Sequence, residues 1–85
     1  MWWHKVKAAP GRVFGFSDCD GEGGPLGEGS ARVLRAMVWS SGVDWIEADG
    51  STCILFDKYA PETVQGDGGL WVWMRADSVL ATWTE

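Results

Sequence analysis

ARVLRAMVWSS, residues 31–41, admits two readings that lead to different architectures. As a helix it places Val33, Leu34, Met37 and Val38 on one face and Arg32, Arg35 and Trp39 on another. As a strand it sets Arg35 on the same side as Val33 and Met37, a charge among apolar neighbours. The flanks favour the helix. Ser30 offers an N-cap oxygen to otherwise free backbone N–H groups, and Gly42 stands at the C′ position, where a left-handed residue ends a helix. Ala, Arg, Leu and Met are also good helix formers. The spacing therefore predicts a helix over 31–41.

The flanking chain is read as β-structure. In VDWIEADGSTCILF, residues 43–56, Asp49-Gly50 is a preferred two-residue hairpin turn, because both positions accept positive φ. A tight turn there sets Ala48 against Ser51, Trp45 against Ile54 and Val43 against Phe56. Residues 58–69 read as a loop, with Pro61 and a glycine turn at 66–69. In the strand 70–75, Leu70, Val72 and Met74 point one way and Trp71, Trp73 and Arg75 the other. A helical turn over 77–80 and a short strand over 81–84 follow. Toward the N-terminus, residues 2–8 have extended character and Pro10-Gly11 forms a turn into the apolar run 12–16, a second hairpin. Adjacent residues of a strand point oppositely, so only one of Trp2 and Trp3 faces a given core. The expected fold is mainly β with one short helix, a small α+β protein built on a curled antiparallel sheet or partial barrel, and 85 residues suit a single domain.

Composition narrows the function. The chain is 46% hydrophobic and 22% charged, too apolar for disorder. Its seven tryptophans exceed what so small a core hides, since each indole carries about 200 Å² and an N–H that wants a partner. A net charge of −5 opposes binding to a phosphate backbone and suits a partner with a basic surface. Cys19 and Cys53 are too few for a disulfide scaffold and read as free thiols of a reducing compartment, with one structural bridge as the minor alternative. MWWHKVK, residues 1–7, lacks the features of a signal peptide, and no apolar run is long enough to span a bilayer. The expected location is the cytoplasm, with no membrane partner.

SDCDGEGGPLGEGS, residues 17–30, looks most like a motif. Asp18, Asp20 and Glu22 alternate ahead of Gly23, as oxygen ligands do at the start of a helix–loop–helix calcium loop. The twelfth place, which needs a bidentate Glu, holds Gly29, and Pro25 stands where an aliphatic residue belongs. A phosphate-binding loop needs a Lys that is absent, and Glu28 would repel the ligand. The segment is expected to be a solvated loop that binds no calcium and forms an acidic rim through Asp18, Asp20, Glu22 and Glu28. No cofactor or metal is expected. The single histidine, His4, is near a terminus, Cys19 lies among acids that blunt its reactivity, and Asp44, Glu47, Asp57 and Asp77 read as surface acids. The chain is not expected to be an enzyme.

The favoured contact surface is Trp71, Trp73 and Arg75, with Trp2 and Trp3 as further candidates, because Trp and Arg dominate binding hot spots. The competing expectation is that the helix over 31–41 lies across that face and buries it. GGLWVWMRADSVLATW, residues 68–83, resembles the end of an SH3-like barrel, in which a turn and strand lead through a short helical turn into a last strand. The resemblance covers roughly the C-terminal half and implies a non-enzymatic binding module; similar bacterial barrels bind cell-wall polymers. The expected function is protein binding, as an adaptor or inhibitor of the kind phages encode, with imitation of nucleic-acid charge as one form of it. Carbohydrate binding through indole faces is the alternative, and single-stranded nucleic acid is disfavoured by the scarcity of cations.

Overall fold

A computed structural model of the chain describes residues 2–17, 33–66 and 69–84. Residues 31–41 do not form the expected helix: Val33–Ser41 is a strand, β2. Leu34, Ala36 and Val38 are buried, while Val33, Arg35, Met37 and Trp39 take the other side. The side that holds Arg35 is thus the outer face, and the apolar alternate set is the core face. Helix propensity amounts to under about 1 kcal/mol per residue. It is outweighed here because β2 has strands on both edges, β1 (Arg12–Ser17) and β3 (Thr52–Asp57).

The remaining strands are β4 (Glu62–Gly66), β5 (Gly69–Arg75) and β6 (Val79–Thr84). Together they form one antiparallel sheet in the order β4-β5-β1-β2-β3-β6, which does not close. The expectation of a mainly β protein holds, but the described residues contain no α-helix, only 3-10 helices at Trp2–Lys5 and Ala76–Ser78. Residues 58–69 are more than a loop, since β4 pairs with β5 from Glu62↔Trp73 to Gly66↔Gly69. The expected helical turn and last strand appear as Ala76–Ser78 and β6.

Both expected hairpins are corrected. Residues 2–8 form no strand, because the edges of β1 are occupied by β2 and β5. Pro10-Gly11 still turns the chain: the Arg12 N–H donates to the Ala9 carbonyl at 2.9 Å, and Gly11 has φ +83°. Residues 43–48 are not a strand either; the hairpin partner of β3 is β2. Within the connection between them, Ile46 drops into the core and Trp45 is exposed. Gly50 has the positive φ expected of it, +87°, and the Asp49 carboxylate oxygen Oδ1 accepts from the Ser51 and Thr52 N–H groups, each at 3.0 Å. The Ser51 and Thr52 hydroxyls donate to the same oxygen. Asp49-Gly50 therefore ends the connection and launches β3.

These donors, the Ser51 N–H foremost and then the Thr52 hydroxyl, hold the Asp49 carboxyl down from 3.8 to about 2. A carboxyl depressed on folding stabilises the fold above its unfolded pKa and loses that contribution as pH falls through the folded value. Urea midpoints of the wild type are expected to fall between about pH 4 and pH 2 more steeply than those of Asp49→Asn. Parallel profiles would show that the turn does not couple to folding.

Val13, Leu34, Ala36, Val38, Ile54, Phe56, Val72 and Met74 make one buried cluster, with Ile46 and Ala76 added from connections. These side chains come from strands as far apart in the order as β5 and β3, so a single core runs along the inner face of the sheet. Gly15 lies at a register shift between β1 and β2, where a Cβ would meet the Met37 carbonyl oxygen at 2.6 Å. Only glycine permits that approach. Cys53 is buried, with no disulfide among the described residues, and Cys19 lies outside the described residues.

Candidate aromatic binding face

Alternation on β1 and β5 sends Arg12, Phe14 and Phe16 to the outer face together with Trp71, Trp73 and Arg75. The antiparallel register sets them opposite each other as Arg12↔Arg75, Phe14↔Trp73 and Phe16↔Trp71. One apolar row crosses all six strands through Val64, Trp71, Phe16, Met37, Cys53 and Trp83. The expectation that Trp71 and Trp73 oppose Leu70, Val72 and Met74 is met: Val72 and Met74 belong to the core cluster, and Leu70 packs against it.

The outer face is covered at its centre by the N-terminal segment, not by a helix from 31–41. Trp3 stacks on Trp71 with ring centroids 4.9 Å apart and planes 25° from parallel. Phe14 and Phe16 pack against the same indole at 5.4 and 4.7 Å, and Trp39 at 6.1 Å. His4 stacks on Trp3 and meets the Trp39 ring edge-on, both at 5.8 Å. The segment is tied down farther along, where the Ala8 N–H donates to the Ser40 hydroxyl at 2.8 Å. Trp3, Phe16, Trp39 and Trp71 line an open cup of about 210 Å³.

The residues named from the sequence thus separate. Trp71 is only 3% exposed and forms the floor of the cup. Trp3 makes one wall. Trp73 is half-buried, and its indole N–H donates to Glu62 Oε2 at 3.1 Å. Arg75 is exposed beside Asp77 at 3.2 Å, a surface pair contributing at most about 1 kcal/mol. Trp2 lies in the first 3-10 helix, while Asp18, Asp20, Glu22 and Glu28 lie outside the described residues. Asp44 and Glu47 are exposed in the connection before β3, and Asp57 accepts from the Tyr59 N–H at 3.0 Å. Among the described residues no group of three or more His, Cys, Asp or Glu is placed to hold a metal ion.

Two prominent members of the face are absent from the sequence expectation. Trp39 and Met37 are 43% and 38% exposed on the outer side of β2. The signal for them was the alternation Val33, Arg35, Met37, Trp39, which the helical reading dispersed. No protein-family model matches the chain, and no curated protein matches it in sequence. Among the described residues no helix is long and apolar enough to cross a membrane.

Proposed function

We propose that the protein is a non-enzymatic binding module that holds a protein partner against its aromatic outer face, with Trp39, Met37 and Trp3 as the contact residues. One observation carries this reading: Trp39 stands 43% exposed at the rim of a cup whose other walls are packed aromatic rings. An exposed indole beside a rigid apolar floor gains contact area on binding with little ordering cost. The strand, 3-10 helix and strand formed by β5, Ala76–Ser78 and β6 support the SH3-like reading of the C-terminal half. The net charge of −5 supports a partner with a basic surface. Carbohydrate binding is the second reading, since the same ring faces would stack on a sugar.

Trp39→Ala is expected to weaken partner binding by about 2 kcal/mol while changing stability by under about 1 kcal/mol. The test compares immobilised wild type and Trp39→Ala for proteins retained from a host extract and for a panel of soluble oligosaccharides. A protein kept by the wild type and lost by the variant supports the proposal. A sugar with that behaviour establishes the second reading instead, and the lack of any Trp39-dependent ligand overturns both.

A further inference from the structure

Away from the Trp39 cup, the same N-terminal segment leaves a second cleft against β1 and β5, of about 330 Å³. Val6, Ala8, Phe14 and Trp73 contribute its apolar walls, and Lys7 and Arg12 line it as well. That volume and that mixture, mostly apolar with a few convergent polar groups, are what small-ligand sites have. Trp39 is not part of the lining.

The charges here need an explanation. Arg12 and Arg75 are direct cross-strand partners, and like charges in that position repel. Arg75 is compensated by Asp77 at 3.2 Å. Among the described residues no carboxylate lies within salt-bridge distance of Arg12 or Lys7. Glu62, the cross-strand partner of the Trp73 wall, is engaged by the indole N–H at 3.1 Å. Arg12 and Lys7 therefore border an apolar cleft with no ion-pair partner among the described residues.

We propose that this cleft binds a small amphiphilic anion, a compact apolar body carrying one carboxylate-type charge. The body lies against Phe14 and Trp73, and the charge is met by the Arg12 guanidinium, whose planar fork suits a carboxylate, and by the Lys7 ammonium. The ligand supplies to Arg12 the negative charge that Asp77 supplies to Arg75 across the strand pair. The site does not depend on the proposed protein-binding role of Trp39.

The test uses 1-naphthylacetate and its neutral counterpart 1-naphthylacetamide, which share one apolar body and differ in charge. Each is titrated into the full-length protein and followed by the NMR signals of the Val6 and Ala8 amides and the Trp73 indole N–H. The anion is expected to give saturable shifts at these positions and the amide to bind about tenfold more weakly. Arg12→Gln is expected to reduce anion affinity about fivefold or more without changing amide affinity, and Arg12→Lys to fall between Arg12→Gln and the wild type, because an ammonium keeps the charge but loses the planar fork. Trp39→Ala is expected to leave both affinities unchanged. Equal affinities of the two probes, an Arg12→Gln variant that binds the anion normally, shifts centred on Trp3 and Trp39, or no saturable shift at millimolar probe would each overturn the proposal.

Discussion

Phe56→Ala is expected to lose about 3–5 kcal/mol of stability, a large share of what holds the chain folded. Phe56 is 0% exposed on the inner face of β3, between Leu34 of β2 and Val79 of β6 in the strand register. Removing a buried phenyl ring costs about 3–5 kcal/mol, part lost transfer energy and part cavity. At the usual 0.05–0.15 kcal/mol per residue, a chain of this length has a total stability of about 4–13 kcal/mol. Among the described residues no α-helix stands ready to move into the gap, so the cost belongs at the upper end. Urea unfolding followed by far-ultraviolet circular dichroism measures it. A loss below about 1 kcal/mol would show that the inner face is loosely packed.

Trp71→Ala is expected to cost a similar amount, about 3–5 kcal/mol, even though Trp71 lies on the outer face. Its indole touches Trp3, Phe14, Phe16 and Trp39 at once, with centroid distances of 4.7 to 6.1 Å. Deleting it removes the floor on which the N-terminal segment rests, so Trp3 and His4 are expected to detach as well. Trp73→Ala removes a half-buried ring held at one edge by Glu62 and is expected to cost clearly less. Thermal melts of both variants, with the Trp3 indole signal followed by NMR, separate the two. If Trp71→Ala melts like the wild type, the aromatic stack does not contribute to the fold and other contacts, the Ala8–Ser40 hydrogen bond among them, hold the N-terminal segment.

The two indoles were equivalent in the sequence, both on the side of the strand opposite Val72. Strand alternation is a local rule, and it placed them correctly. It carries no information on what lies above each one. That depended on the N-terminal segment, far away in the chain, which settles on Trp71 and leaves Trp73 half open. The same limit explains Trp39. Its neighbours favour a helix by propensity and capping, and only the presence of β1 on one edge and β3 on the other turns 33–41 into a strand with Trp39 outward.

Features that depend on a few consecutive residues were therefore legible from the chain alone. They include the alternation of residues 70–75, the positive φ at Gly50 and the turn at Pro10-Gly11. Each follows from backbone sterics or side-chain polarity within a short window. Strand partners, the burial of Trp71, the exposure of Trp39 and the opposition of Arg12 to Arg75 required the assembled sheet. Residues separated by some sixty positions meet there, and the edge that each strand offers is set by which other strand has already filled it.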